Sequence, residues 1–280
     1  MGPLAAGGRK MGLFNIHAKP NRVVSFLLSI LLFVICIIGY ALTSHARHKE
    51  NPQDKVVPTF SEMADGFKRA AFEKDRKDEI RLLVDTIASV RRFLISLAFL
   101  SLAVLMGLQM GVFPYIEVIF LRFITFFDKI PALALLPILF IIFGLGEVSK
   151  IALILIGVFP TIALDTYLRA KNVPREQVTK ALTLGAHQFE IAYRVILPQI
   201  FPAVLDTIRL NFKAMILYLI AGEAIAATAG LGYRIFLVRR YIAMDIIIPY
   251  VIWMSLLAFL ADFLVQFWIK KRYRWVGIDQ

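Results

Sequence analysis

Five ionisable residues interrupt apolar stretches in the second half of the chain, and they are the first candidates for chemistry. A charged side chain is costly to place in hydrocarbon, so within an apolar helix it usually faces a cavity or an opposite charge. This pattern is typical of residues that line a passage for a charged solute. The five residues are Asp165, Arg209, Lys213, Glu223 and Asp262.

Arg209 and Lys213 form the most suggestive pair, because a spacing of four residues places them on one face of a helix. Two cations on one face would attract an anionic solute. The alternative is that both side chains reach toward the headgroups, since they lie near the start of an apolar run. Asn211 and Tyr218 could supply uncharged hydrogen bonds to the same solute, and Glu223 is predicted to pack in the interior of the bundle.

Motifs for catalysis, nucleotide hydrolysis or metal binding are missing from the sequence. The four histidines, His17, His45, His48 and His187, do not form a zinc-binding pattern, and spacing alone yields no Ser, His and Asp set. The segment Gly144 to Lys150 contains glycines and a lysine, but it lacks the spacing of a phosphate-binding loop. We therefore predict no catalytic residue, no enzymatic activity, and no metal or cofactor bound by this chain.

The composition indicates that the elements carrying these residues cross a membrane. Hydrophobic residues make up 59% of the 280 residues, more than in a typical soluble domain. Several apolar runs approach the length of about 20 residues that spans the hydrocarbon core of a bilayer. The net charge of +12 comes from basic residues in the N-terminal tail, in the region 169–194 and at the C terminus. This distribution indicates membrane topology, with no nucleic-acid partner.

Six apolar runs predict an all-α, polytopic membrane bundle with about six transmembrane helices. A cytoplasmic tail (1–22) precedes the first span (23–43), which is too long for the apolar core of a signal peptide and is interpreted as an uncleaved anchor. An extracytoplasmic segment (44–92) follows, then a core (93–270) and a cytoplasmic tail (271–280). The other spans are predicted at approximately 93–111, 131–146, 151–168, 204–228 and 246–269.

The segment 44–92 is polar, its part from Ser44 to Asp85 has basic and acidic residues in balance, and part of it shows helical periodicity. Its apolar residues indicate an amphipathic helix that covers the membrane surface or the bundle. The alternating charges suggest an additional contact with an extracytoplasmic partner. The apolar residues at helical spacing are Phe60, Met63, Phe67, Ala71 and Phe72.

A polar patch between two predicted spans keeps the periodicity of two short helices joined at Gly185. Pro174 suits the first turn of the first helix, Gly185 tolerates a sharp turn, and Pro198 is predicted to end the second helix. We call residues 174–198 the elbow. From these features alone, a loop resting on the lipid surface is as good an interpretation as a docking element.

The elbow resembles the cytoplasmic signature of ABC importer permeases, which reads Glu-Ala-Ala, three residues, Gly, nine residues, Ile, one residue, Leu-Pro. This sequence departs from the signature at Thr179 and Lys180, which stand where the family has Glu and Ala, and it has Val where Ile is usual. The aligned positions are Ala181, Gly185, Val195, Leu197 and Pro198.

Three further segments extend the resemblance over roughly residues 58–275. They are similar to the permease branch for nitrate, taurine, aliphatic sulfonates and related small anions. These segments are "IPALALLPILFIIFGLGEVSKIALI" (130–154), "AGEAIAATAGLGY" (221–233), and Asp262 with the closing "RYRW".

The resemblance implies a type I importer permease in the bacterial inner membrane that forms the pathway for a small, anionic solute. The implied partners are a second permease copy, two cytoplasmic ATP-binding subunits that hold ATP and Mg, an extracytoplasmic solute-binding protein, and membrane lipid. The elbow would be the coupling helix that enters a groove on the ATP-binding subunit. The coupling residues would be Thr179, Lys180, Ala181, Gly185, Ala186, His187, Phe189, Leu197 and Pro198.

Two other functions remain as alternatives to an ATP-driven importer. The first is a membrane-anchored interaction or sensor protein without transport. The second is an ion-coupled secondary transporter, which typically contains an inverted repeat that is not visible in this sequence. The sequence does not name the solute.

Overall fold

The computed structural model describes residues 21–51, 54–74, 78–273 and 275, and every extended element among them is a helix. Most of both predicted tails, including His17, lies outside the described residues. The helices are α1 (Arg22–Glu50), α2 (Phe60–Phe72), α3 (Arg81–Val112), α4 (Pro114–Asp128), a 3₁₀ turn (Ala132–Leu135), α5 (Leu136–Phe143), α6 (Glu147–Lys171), α7 (Arg175–Thr183), α8 (Gln188–Glu190), a π-helical segment (Ile191–Ile196), α9 (Leu197–Leu210), α10 (Phe212–Ala226), α11 (Leu231–Arg239) and α12 (Met244–Arg272).

The described part of the chain contains enough apolar helix to cross a membrane several times. Five helices are long and apolar enough: α1, α3, α6, α12 and the continuous stretch Gln188–Leu210. Two bent pairs raise the number to seven if each pair is one span, namely α4 with 132–143, bent by 86°, and α10 with α11, bent by 54°. The prediction of an all-α polytopic bundle is confirmed, and its estimate of about six spans lies within this range.

The N-terminal unit, residues 1–60, contains α1 and a short return segment whose polar groups are satisfied locally. The hydroxyl of Tyr40 donates to the carbonyl of Pro58 at 2.7 Å, and Arg47 Nε lies 2.5 Å from Asp54 Oδ2. The backbone N–H of Val56 donates to Asp54 Oδ1 at 2.9 Å, and this bond lowers the pKa of the Asp54 carboxyl. Residues 54–58 are therefore held against the second half of α1.

The second unit, residues 61–280, is organised around α3 and α6, which run parallel to each other. Arg92 contacts Glu147 near the beginning of both helices, and Gly111 faces Ala170 near their ends. A Cβ added to Gly107 would collide with the carbonyl of Ala163, and one added to Gly111 would lie 2.5 Å from the Cβ of Ala170. The spacing Gly-x-x-x-Gly therefore allows the two backbones to approach closely.

Helix α2 has the predicted amphipathic character, but its buried face is rotated relative to the prediction. Met63, Gly66 and Ala70 are buried, whereas Phe60 and Phe72 are exposed. The reason is that the backbone of Asp245 in α12 lies against Gly66, so the small residues of α2 face the bundle. We did not predict this face, because Gly66 and Ala70 were not counted among the apolar residues at helical spacing.

The predicted boundaries at residues 43, 92 and 270 fall inside α1, α3 and α12. Hydropathy marks where hydrocarbon contact ends, but a helix can continue into water without a break. The predicted span 204–228 is interrupted at Asn211, where α9 ends and α10 begins. The candidate span instead covers Gln188–Leu210, because the elbow's second helix continues directly into α9.

Candidate functional site

The elbow begins with α7 and ends this helix in a Schellman turn centred on Gly185. Gly185 has φ of +85°, its N–H donates to the carbonyl of Leu182 at 3.0 Å, and the N–H of Ala186 donates to the carbonyl of Ala181 at 3.1 Å. These are the two backbone bonds of that motif, which uses a left-handed residue usually supplied by glycine. The signature spacing from Ala181 to Gly185 thus corresponds to a defined hydrogen-bonded helix end.

The elbow's second helix starts at His187, whose backbone N–H donates to Glu190 Oε2 at 3.1 Å. We predicted that Pro198 would end this helix, and that prediction is wrong. The π-helical segment Ile191–Ile196 precedes Pro198, which therefore lies in the first turn of α9. A missing N–H is tolerated in a first turn, so the helix continues to Leu210.

The elbow's second helix is attached to the bundle, and its first helix contacts the core through the half-buried Val178 and Ala181. The rings of Phe189 and Phe113 lie 5.1 Å apart, and Gln109 Nε2 donates to the hydroxyl of Tyr193 at 2.5 Å. Helix α7 contains no buried residue. Of the predicted coupling residues, Ala181, Ala186 and Leu197 are half-buried, and the exposed ones are Thr179, Lys180, Gly185, His187, Phe189 and Pro198.

Leu184 at the tip of the elbow was not among the predicted coupling residues, although its side chain is 88% exposed. Leu182 and Phe189 are also exposed, so three large apolar side chains lie close together in the sequence at this turn. A signal was present in the sequence, because an apolar residue directly before a helix-ending glycine lies at the turn itself. The tip therefore offers an apolar contact surface.

A second candidate region is a cavity of about 420 Å³ between α12 and the junction of α9 with α10. Arg209 and Lys213 both line this cavity, together with Asp262. The two cations belong to different helices, because α9 ends before Asn211 and α10 begins after it, yet both side chains line the same cavity. Sequence spacing thus identified the two neighbours for an incorrect reason, a continuous helix.

Arg209 is held by two carboxylates. Its Nη1 donates to both oxygens of Asp262 at 2.9 and 3.1 Å, and its Nε and Nη2 donate to Asp206 Oδ1 at 3.0 and 2.7 Å. Arg209 lies close to the end of α9, one residue before Leu210, and its partner Asp262 lies in the middle part of α12. Its guanidinium joins α9 to α12.

The remaining predicted pathway residues make contacts within the chain. Asn211 Nδ2 donates to the carbonyl of Thr207 at 2.9 Å, and the ring of Tyr218 packs directly against Gly157. Asp165 accepts hydrogen bonds from Arg169 Nε at 2.6 Å and from Thr207 Oγ1 at 2.7 Å. These side chains connect α6 to α9 and α10.

Glu223 is fully buried and is the centre of a polar cluster at the end of the bundle opposite the elbow. Its carboxylate accepts hydrogen bonds from Arg92 Nη1 at 2.7 Å, from the Ser89 hydroxyl at 2.8 Å, and from the N–H of Gly232 at 2.8 Å. We name this the Glu223 cluster and define it by its side chains: Asp85, Ser89, Arg92, Glu147, Glu223 and Arg234.

The Glu223 cluster fixes the short loop between α10 and α11. Asp85 Oδ1 accepts from the N–H of Gly230 at 3.0 Å, and the Ser89 hydroxyl accepts from the N–H of Leu231 at 2.8 Å. Gly230 has φ of +140°, and its Cα lies so close to Glu223 that an added Cβ would be 2.5 Å from the carboxyl carbon. The family-like "AGEAIAATAGLGY" segment is therefore a helix end, a fixed loop and a helix start.

Most of this cluster was missed from the sequence. Asp85, Ser89 and Arg92 were assigned to the polar outer segment, but they lie on one face of α3, all buried. Their spacing of four and then three residues is the signal that could have found them. Arg92 also donates to both oxygens of Glu147, at 2.5 and 2.8 Å, so the cluster links α3, α6 and α10.

Comparison with known proteins identifies a protein family that this chain matches. The family model described as "Binding-protein-dependent transport system inner membrane component" matches residues 100–274. The taurine transport system permease protein TauC of Escherichia coli is 30% identical over 191 residues, which cover 68% of this chain and 70% of TauC.

Two further relatives cover less of the chain. The Escherichia coli protein named as an aliphatic sulfonates transport permease, SsuC, is 31% identical over 147 residues, covering 52% of this chain and 56% of SsuC. The formylaminopyrimidine transport permease protein ThiX of Halalkalibacterium halodurans is 31% identical over 106 residues, covering 38% of this chain and 42% of ThiX.

Proposed function

Because the chain belongs to the family of binding-protein-dependent transport system inner membrane components, we propose that its elbow is the coupling element of an ATP-driven importer. The family is one of transport permeases and not of enzymes, and it functions with ATP-binding and solute-binding partners. The chain is thus a multi-pass inner-membrane permease subunit. Our proposal concerns the finer assignment of its parts.

The single observation that carries the proposal is the construction of the elbow. A coupling element must transmit force, so it needs a fixed shape and a surface for the partner to bury. The Schellman turn at Gly185 supplies the fixed shape, and Leu182, Leu184 and Phe189 supply the exposed apolar surface. The elbow's second helix also continues without a break into α9, which gives a direct mechanical path into the membrane.

The proposal also covers the rest of the assembly, with the elbow placed in the cytoplasm. Both termini would then be cytoplasmic, and the polar face of α2 would be available to the solute-binding protein. Two copies of the chain would form the pathway between them, with two ATP-binding subunits below. ATP and Mg would be bound by those subunits, and this chain would hold no cofactor.

A small organic anion is the solute class that we propose. TauC and SsuC are named for taurine and for aliphatic sulfonates, which carry a sulfonate group, whereas ThiX is named for a formylaminopyrimidine. The cavity beside Arg209 and Lys213 favours the anionic class, because its lining contains two cations and one carboxylate. Stimulation of ATP hydrolysis by individual solutes, with the solute-binding protein present, would test this assignment.

The test of the coupling role is Gly185→Val. A β-branched residue is strained at φ of +85°, although nothing lies within 4 Å of the position that its Cβ would occupy. We expect loss of ATP-dependent uptake in membrane vesicles while the amount of inserted protein stays normal. Gly185→Asn, which tolerates the left-handed region better, should retain partial uptake.

Gly144→Val is the matched control, because Gly144 has φ of +73° and an equally open surrounding, but lies between α5 and α6, away from the elbow. This variant should carry a similar backbone strain without uncoupling transport. Normal uptake by Gly185→Val, or equal loss in both variants, would contradict the coupling role.

A further inference from the structure

We propose that the cavity at the junction of α9 and α10 is a binding site for a small organic anion with a hydrocarbon tail. Lys213 would bind the anionic group, and the tail would enter an adjoining apolar cavity. The identification of this anion as a transported solute rests on the proposed function. The existence of the site rests on the contacts and cavities described below.

The charges lining the cavity leave one cation available. The guanidinium of Arg209 is committed to Asp206 and Asp262. The ammonium of Lys213 makes no ion pair or hydrogen bond with any residue that the structure describes, and its side chain is exposed. Lys213 is therefore free to bind an anion, and Arg209 with Asp262 forms a fixed wall beside it.

The position of the cavity makes a free lysine unusual. The α12 residues that line it, Ser255, Phe259 and Asp262, lie in the middle part of a 29-residue candidate span. An ammonium at such a depth is costly in hydrocarbon and is expected to face water, a counter-ion or a ligand. Because no carboxylate of the described residues forms an ion pair with Lys213, a bound anion would satisfy this requirement.

The second half of the proposed site is a cavity of about 230 Å³ between α3, α10 and α12. Its lining is almost entirely apolar, with Ser89 as the one polar residue. The two cavities are neighbours, because they share wall residues from α10 and α12. The shared residues are Phe212, Ile216, Met254 and Ala258.

This arrangement predicts a selectivity between anions. Each methylene buried in the apolar cavity should strengthen binding by up to about fourfold, the factor that corresponds to about 0.8 kcal/mol. Butanesulfonate should therefore bind more tightly than ethanesulfonate. Taurine should bind more weakly than ethanesulfonate, because its ammonium group would have to leave water.

The same chemistry, an anionic head on a hydrocarbon tail, occurs in the transported solute and in acidic membrane lipid. The two sources differ in what competes for the site. A solute site remains open in nanodiscs of either phosphatidylcholine or phosphatidylglycerol and responds to added butanesulfonate. A lipid site is occupied by phosphatidylglycerol, and added butanesulfonate does not change its occupancy.

Cysteine protection measures occupancy without requiring transport. The chain has a single cysteine, Cys36, so Cys36→Ser with Ser255→Cys gives one reporter thiol in the wall of the cavity. The full-length chain in phosphatidylcholine nanodiscs is labelled with an uncharged maleimide at increasing butanesulfonate concentration. We expect the labelling rate to fall at least threefold at saturation, with ethanesulfonate requiring a higher concentration.

Lys213→Gln in the reporter background should abolish protection, whereas Lys213→Arg should retain it. The matched control is Lys129→Gln, since Lys129 is an exposed lysine paired with Asp128 and does not line the cavity. An unchanged labelling rate of the ligand-free Lys213→Gln chain shows that the fold is retained. If that rate changes, Lys213→Met replaces Lys213→Gln, and protection that is retained in Lys213→Arg but lost in Lys213→Met supports the site, whereas protection in both overturns it.

The outcomes separate this proposal from the proposed function. Protection by butanesulfonate that survives Lys213→Gln, protection absent in every chain, or a reporter that is never labelled would each overturn the site. Protection by phosphatidylglycerol alone would overturn its assignment to a solute. Lys213-dependent protection together with absent ATP-driven uptake would instead leave the site standing and contradict the importer mechanism.

Discussion

Buried charge is the main feature at the scale of single residues. Glu223 has no exposed surface and obtains its hydrogen bonds from one guanidinium, one hydroxyl and one backbone N–H. Removing one partner of a buried ion pair leaves a charge that is neither hydrated nor compensated, and this is more costly than losing the pair itself. The stability of the bundle should therefore depend strongly on this site.

We predict that Arg92→Leu lowers the free energy of unfolding by about 3–5 kcal/mol, because it leaves the Glu223 carboxylate buried without its cation. The measurement is equilibrium unfolding in mixed detergent micelles. Arg194→Leu is the matched control, since Arg194 is 79% exposed and lies 3.2 Å from Glu190, and its loss should cost at most about 1 kcal/mol. Equal effects of the two variants would contradict the role of the cluster.

The residues of the candidate sites could be predicted only in part from the sequence. An ionisable residue in an apolar run is visible by its type, and so Arg209, Lys213, Glu223 and Asp262 could be selected. Pairing is not visible in this way, because the 53 residues that separate Arg209 from Asp262 place no limit on their distance in the fold. The sequence pattern also could not show that Lys213 has no ion-pair partner among the residues that the structure describes.

At the scale of elements, the close contact between α3 and α6 is the central packing feature. We predict that Gly107→Ala lowers the free energy of unfolding by about 1–3 kcal/mol, because the new methyl group would collide with the carbonyl of Ala163. Unfolding in mixed micelles is again the measurement. The variant should keep its helix content, so circular dichroism of the folded state should be unchanged.

Gly39→Ala is the control for this substitution, since Gly39 lies in α1 with nothing within 4 Å of the added atom. Alanine is favoured over glycine in a helix by about 1 kcal/mol. The control should therefore be neutral or slightly stabilising. A neutral Gly107→Ala would show that α3 and α6 can separate freely at this point.

Hydropathy and periodicity predicted the number and type of helices better than their continuity. The elbow's two helices and the turn at Gly185 were expected from Pro174, Gly185 and the apolar spacing. The passage of the helix through Pro198 was not, because it depends on the π-helical segment, which widens the helix through its backbone bonds and leaves no mark in composition. The break at Asn211 was hidden for a similar reason, since apolar residues lie on both sides of it.

At the scale of the whole molecule, the tip of the elbow should contribute to assembly. We predict that Leu184→Ala weakens association with the ATP-binding subunit by about 2 kcal/mol, because a side chain that is 88% exposed in this chain would be buried in the complex. The measurement is binding of the purified partner to nanodisc-embedded chain. The uptake rate should fall in parallel at limiting partner concentration.

Leu145→Ala is the corresponding control, because Leu145 is 63% exposed and precedes α6 at the end opposite the elbow. Its association constant should match that of the unchanged chain. If both leucine variants bind normally, the elbow tip does not enter a groove on the partner. If both bind weakly, the contact surface is not confined to the elbow.

The Glu223 cluster and the elbow lie at opposite ends of one path formed by α9 and α10. The end of this path at Glu223 is anchored to α3 and α6 by a buried carboxylate, and the end at the elbow is stiffened by a hydrogen-bonded turn. Between them, α9 ends at Leu210 and α10 begins at Phe212, so the two helices are separated at Asn211. A path secured at both ends is expected to bend where its helices are separated, and that junction adjoins the ammonium group of Lys213.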